Sequence, residues 1–327
     1  MPEVQRLSVE AGEDGVRLDR WLRRRWPNLG QTQIHKLARS GQLRVDGARA
    51  KADTRLTVGA VVRVPPLMTA APSEPAETLS HQDVAFARSL VLYEDKHVLV
   101  LNKPVGLAVQ GGTGTTRHID RLLSAWGEGP SRPRLTHRLD RDTSGVLALG
   151  KSPDAAARLA AAFAERLAEK TYWAIVDGAP QPAIGVIDRP LSKVGFGDRE
   201  RIETVDRYNE LGKPAVSRYV TLALAQSSAA WLALRPLTGR THQLRAHMLS
   251  IGHPILGDTK YYLPRSQQTS GTLKLQLHAR RLVLPHPADG MIDVTAPISP
   301  AMQAGFARFG FQQSGTDEDP FLGPGRN

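Results

Sequence analysis

The sequence predicts a mixed α+β domain behind a small basic module. Three observations point there. Two short N-terminal segments repeat apolar residues at helical spacing, strand-like runs recur from residue 90 onward, and a Pro/Ala/Ser/Glu-rich stretch separates the two regions. A length of 327 residues suits about two domains.

The module occupies residues 1–66. "RLDRWLRRRWP" (17–27) reads as a helix with Leu18, Trp21 and Leu22 on one face and arginines on the other. "GQTQIHKLARSGQ" reads as a second helix, with Thr32 as candidate N-cap and Gly41 as the stop. "LRVDGARAKADTRLTVGAVVRVPP" reads as short strands with a turn at Asp46-Gly47. Residues 1–66 carry thirteen Lys and Arg against seven Asp and Glu, so over half of the net +11 lies here. Charge concentrated in this way fits a polyanionic partner.

Residues 67–89 read as a linker, 90–311 as the main domain and 312–327 as a disordered tail. In the main domain, "LVLYEDKHVLVLNKP" predicts two strands around a turn at Glu94-Asp95-Lys96. Ser152 then caps a helix with Pro153 at its first position, predicted to reach about Lys170 with Leu159, Phe163 and Leu167 inward. "TYWAIVDG" is a strand, and the segments around Gln226-Ser227-Ser228 form a hairpin. Thr241 is the expected cap of a helix running through Ile251 and ended by Gly252.

Several chemistries are excluded. With no cysteine there is no disulfide, thiolate zinc site or cysteine nucleophile, and a cytoplasmic protein is expected. The N-terminus has no signal pattern, and no apolar run reaches membrane-spanning length. His242, His247 and His253 are spaced i, i+5 and i+11, which does not set two imidazoles on one helix face, so no metal site is expected. "QGGTGTT" (110–116) lacks the Lys-Ser/Thr of a nucleotide loop. "DTSG" resembles half of an aspartic-protease pair, but no second copy exists to share the proton.

What remains is "HRLDRDTSG" (137–145), a carboxylate among arginines. The apolar run "TSGVLALGK" that follows argues for a loop packed against a sheet edge rather than a solvated one. One buried carboxylate without a metal can act as nucleophile or acid–base group. Burial disfavours its charged form, so an opposing arginine is required.

Four ordered segments, "VLNKPVGLAV", "HRLDRDTSGVL", "EKTYWAIV" and "TGRTHQLRAHMLSIGHPILGD", resemble the motifs of the RluA family of pseudouridine synthases. The N-terminal module resembles an S4 RNA-binding domain. The resemblance implies a pseudouridine synthase fold with a mixed, mainly antiparallel central sheet. It is closest to the C-type enzyme acting on 23S ribosomal RNA, with the D-type as competitor. It makes Asp140 the catalytic aspartate, Tyr172 the tyrosine against the uracil, and Arg245 the partner of Asp140. It makes Arg138 the residue that replaces the flipped base and Leu244 the one beneath it, while Asp142 matches a variable position. Gln110 stands where relatives often have histidine. Lys36, Arg39 and Arg44 are the expected phosphate contacts of the module. The implied isomerisation needs no cofactor or metal, and the expected partner is RNA bound by a monomer. The alternative of another class is a non-catalytic S4-containing RNA-binding or assembly protein.

Overall fold

A computed structural model describes residues 4–26, 29–66, 79–111, 115–195, 201–226, 228–313 and 319–322. The chain divides into two units, Met1–Thr78 and Leu79–Asn327.

In the first unit, β1 (Gln5–Ser8), α1 (Leu18–Arg25), α2 (Gln31–Arg39), β2 (Arg44–Val45), β3 (Ala48–Arg49) and β4 (Val61–Val64) follow in order. The strands form a sheet in the order β1-β4-β2-β3. Leu18, Trp21 and Leu22 of α1 and Ile34 of α2 are buried against Leu43, Leu56, Val62 and Val64. The expected turn is present, with Asp46 at φ 50° and Gly47 at φ 79°, the positive values a two-residue hairpin favours. Gly41 takes φ 71° just beyond α2, a left-handed helix stop. The backbone N-cap of α2 is Gly30, and the Thr32 side chain lies outside the described residues.

The second unit opens with α3 (His81–Ser89), β5 (Val91–Glu94), β6 (Val98–Lys103), α4 (Ile119–Leu122), β7 (Arg134–Leu135), β8 (Ser144–Gly150) and α5 (Pro153–Ala164). It continues with β9 (Glu169–Asp177), β10 (Ile184–Asp188), β11 (Leu191–Val194), β12 (Arg201–Thr204), β13 (Val216–Ala225) and β14 (Ala229–Pro236). Last come α6 (Gln243–Ser250), α7 (Pro264–Ser270), β15 (Leu277–Pro285), β16 (Met291–Thr295) and α8 (Pro300–Phe309). The main sheet runs β10-β13-β14-β9-β15-β8-β6-β5, with β16 on β15 and β7 on β8. Every pairing is antiparallel except β8 with β15, so the sheet is mixed and mainly antiparallel as predicted.

Alternation along the strands sorts side chains to two faces. Ala174, Val176, Leu232 and Leu234 pack with Leu244 and Met248 of α6, while Trp173, Ile175, Trp231 and Ala233 pack with Met302 and Phe306 of α8. On the other half, Val98, Val100, Val146 and Ala148 meet Leu159 of α5, and Leu99, Leu101, Leu147 and Leu149 meet Ile119 and Leu122 of α4. β8 is buried at every position because it lies inside the sheet, between β6 and β15, not at an edge.

Four local expectations need correction. The stretch read as linker contains α3, whose N-cap Ser80 accepts from the Asp83 N–H at 3.1 Å; residues 67–78 lie outside the described ones. α5 ends at Ala164, since β9 begins at Glu169, and Leu167 is exposed. α6 starts at Gln243 behind His242, not behind a Thr241 cap. Within the stretch read as a disordered tail, Asp319 accepts two bonds from Arg235 Nη2 at 2.7 and 2.6 Å, and Phe321 is buried with the same guanidinium 4.4 Å from its ring centre. Truncation after Gln313 should therefore lower stability by about 2 kcal/mol in urea unfolding, because a buried guanidinium loses its main acceptor. Glu169, 3.3 Å from Arg235, limits that loss.

Candidate active site

Asp140 sits in the loop between β7 and β8, and the loop is tied down at both ends. At its start, Thr136 Oγ1 donates to the Ala148 carbonyl at 2.7 Å, and the Ala148 N–H donates to His137 Nε2 at 2.9 Å. Burial, helped by the Lys170 charge, pushes the His137 imidazole down to about 3, so it stays a neutral acceptor. Beyond Asp140, the Arg141 carbonyl accepts from the Gly106 N–H at 3.0 Å and from Lys103 Nζ at 2.9 Å. Lys103 is wholly buried and also donates to the carbonyls of Leu107 and Pro104, at 2.9 and 3.0 Å. Burial draws its pKa down to about 8 against the opposing charges of Asp142 and Asp140, which leaves it mostly an ammonium at neutral pH. At the loop's end Gly145 has φ 110°, and a Cβ there would lie 2.1 Å from the Ala279 carbonyl oxygen. Only glycine lets β8 close on β15 at this point.

The loop opens onto a cleft of about 1150 Å³, whose walls include Arg138, Asp140, Lys170, Tyr172, Leu244 and Arg245. The sequence-predicted residues of the second unit thus come together from the loop, β9 and α6. Tyr172 is half-buried, packed between two apolar clusters. That burial, and then the Asp140 charge, push its phenol well above the usual range, so it keeps its proton at neutral pH. Leu244 is buried with Leu277 in the wall. Arg138 is exposed and has no ion pair among the described residues. Asp142 is exposed, and Gln110 is exposed at the cleft; residues 112–114 of the Gly-rich loop lie outside the described ones.

Arg245 reaches Asp140 as expected, but a second carboxylate that the sequence reading did not name holds the guanidinium more closely. It is Asp258, reached from Nε at 2.6 Å and from Nη2 at 2.8 Å, a two-pronged bond. The Asp258 carboxylate, 1% exposed, also accepts the N–H groups of Lys260 and Tyr261. From this anchor Nη1 of Arg245 points at Asp140 Oδ2, 3.8 Å away. Burial opposes the Arg245 charge, but the Asp258 bonds outweigh it and hold its pKa above the ordinary value. Asp140 itself is 27% exposed at its side chain, so it is half-buried, with an arginine on one side and His242 Nε2 3.8 Å away on the other.

Lys103 and Asp258 have no role in the sequence reading. Lys103 had a signal, a charged residue closing the apolar run of β6. Asp258 closes the last of the four quoted segments, but its partner lies thirteen residues away across a turn, so no local pattern pairs the two. The three spaced histidines diverge: His247 meets Ser217 and the Arg189 carbonyl, and His253 meets the Asp177 carbonyl.

A family model described as RNA pseudouridylate synthase matches residues 97–250. The ribosomal large subunit pseudouridine synthase C of Escherichia coli (strain K12) is 35% identical over 308 residues, covering 92% of this chain and 95% of its own. Its counterpart in Vibrio parahaemolyticus is 33% identical over 306 residues, with the same coverage of each chain. Among solved structures, human RNA pseudouridylate synthase domain containing 4 is similar with a TM-score of 0.58 and 29% identity, over 71% of this chain and 98% of that one. Identity at this level along nearly the whole length, joined to a shared fold, makes the chain a member of the RluA family of RNA pseudouridylate synthases.

Proposed function

We propose that the protein converts specific uridines of 23S ribosomal RNA to pseudouridine as a C-type enzyme. The observation that carries this reading is the meeting of Asp140, Tyr172 and Arg245, from three separate elements, at one cleft. The name shared by its relatives supports the C-type target over the D-type one.

In the reaction the bond from C1′ to N1 breaks, the uracil turns, and C1′ bonds to C5. The C5 proton leaves and N1 gains one, so nothing is oxidised and no group is donated. Asp140 meets C1′ as nucleophile or base, with Nη1 of Arg245 facing its Oδ2 at 3.8 Å. Tyr172, still protonated, lies against the uracil and is the candidate for moving a proton. Leu244 supports the base from beneath. Extruding a uridine costs a few kcal/mol. Arg138, with no partner to give up among the described residues, fills the gap it leaves. Pseudouridine mapping of ribosomal RNA from cells with and without the protein tests the reading. Loss of signal at particular large-subunit sites is expected, and an unchanged map would favour the non-catalytic assembly role.

The same reading makes the first unit an S4-like RNA-binding domain acting in the cytoplasm. No helix among the described residues is long and apolar enough to cross a membrane. Lys36 and Arg39 are exposed on α2 while Ile34 and Ala38 are buried on its other side, and Arg44 is exposed at the start of β2. Each phosphate contact on a single strand makes the slope of log affinity against log salt about 0.7 more negative. Replacing Lys36 and Arg39 by alanine should flatten that slope by about 1.4 in RNA-binding titrations. An unchanged slope would remove α2 from the interface.

A further inference from the structure

We propose that His242 is a positioning residue for the isomerisation, presenting an Nε2–H to the Asp140 carboxylate with its tautomer set by Tyr261. The proposal rests on the assignment of Asp140 above.

His242 adopts φ 51° and ψ 20° at the N-cap of α6, a left-handed conformation uncommon outside glycine. Such backbone tends to persist where the surroundings hold it for a purpose. Its side chain makes no cap bond to the helix. The ring lies instead between two groups, with Nδ1 2.9 Å from Tyr261 Oη and Nε2 3.8 Å from Asp140 Oδ1.

The hydroxyl of Tyr261 decides which nitrogen carries the proton. Tyr261 is 1% exposed, and its Oη already accepts from the Ile202 N–H at 2.9 Å. Its own proton has His242 Nδ1 as acceptor, which leaves the imidazole proton on Nε2, facing the carboxylate. The groups acting on the ring are Asp140, Arg245, Lys260 and Asp258; burial outweighs their sum and holds the imidazole below its ordinary pKa. His242 is therefore a neutral donor at neutral pH, not a second cation beside Arg245.

Asp140 is thus addressed at both oxygens, Oδ2 by Arg245 and Oδ1 by His242. A terminal carboxylate torsion is broad when unheld. Two donors from the start of one helix fix its plane toward C1′. The separation of 3.8 Å exceeds a formed hydrogen bond, as catalytic contacts often do before substrate arrives.

The test uses the full-length protein and single-turnover pseudouridine formation on an RNA fragment carrying the target uridine. A glutamine amide nitrogen falls near imidazole Nε2, and an asparagine amide falls near Nδ1. His242→Asn keeps a partner for Tyr261 and loses the Asp140 donor, so kcat should fall about 10²-fold with KM little changed. His242→Gln should restore the rate to within about fivefold of wild type, since it returns the donor without the titratable ring. Equal rates in the two variants, high or low, would overturn the proposal. If His242→Asn does not fold, Tyr261→Phe, which removes one oxygen, should lower kcat about tenfold, and an unchanged kcat overturns it. Adding His242→Asn to Asp140→Asn should cause no further loss, and an additional loss would show that His242 does not act through Asp140. Near wild-type turnover by Asp140→Asn alone would instead sink the assignment beneath the proposal.

Discussion

Asp140→Asn is expected to lower pseudouridine formation by about 10⁴-fold, the upper end for one positioned acid–base group, while RNA affinity and melting temperature stay at wild-type values. Amide and carboxylate are nearly the same shape. The loop that carries Asp140 is held through the Arg141 carbonyl, the Thr136 hydroxyl and the His137 ring, and none of these bonds involves the Asp140 side chain. What the substitution removes is the charge and basicity needed at C1′. Single-turnover release of the C5 hydrogen reads the effect directly. Asp142→Asn is the matched control: that carboxylate is exposed, and its loss should leave the rate near wild type. Turnover near wild type in Asp140→Asn would remove the nucleophile assignment.

Sequence reasoning read best the features fixed within a few residues. The Asp46-Gly47 turn and the Ser152-Pro153 helix start need only local chemistry, and both are present. Binary patterning likewise separated the buried and exposed sides of α1. It failed where a distant contact overrides local preference. His242 takes a left-handed turn between Tyr261 and Asp140, and this delays the start of α6 past Thr241. α3 is obscured because the Pro- and Ala-rich, aperiodic stretch 67–78 runs almost to its cap. The seat of Asp319 depends on Arg235, 84 residues earlier, and no periodicity reports such a pairing. At the site, motif resemblance named the side chains that line the cleft. It did not name Asp258 or Lys103, which act on Arg245 and on the loop backbone.

Arg245→Met should lose both activity and stability, and the two losses have separate causes. The guanidinium is 8% exposed at its side chain and grips a carboxylate that is 1% exposed. Removing one side of such a pair costs about 3–5 kcal/mol, and solvent screening does little to soften it here. The N–H groups of Lys260 and Tyr261 still reach Asp258, so the lower end is expected. The activity loss arises at the other end of the same side chain, where Nη1 no longer faces Asp140. Arg245→Lys should recover part of each, because an ammonium keeps the charge without the planar two-pronged fork. Pairing Arg245→Met with Asp258→Asn separates the effects. With the orphaned charge gone, the urea midpoint should move back toward wild type, while kcat stays as low as in Arg245→Met. If the double variant regains turnover together with stability, Arg245 serves the fold alone, and the counter-charge of Asp140 must come from elsewhere. Arg240 is a poor substitute, since its Nε donates to the Pro214 carbonyl at 3.2 Å and its side chain is exposed.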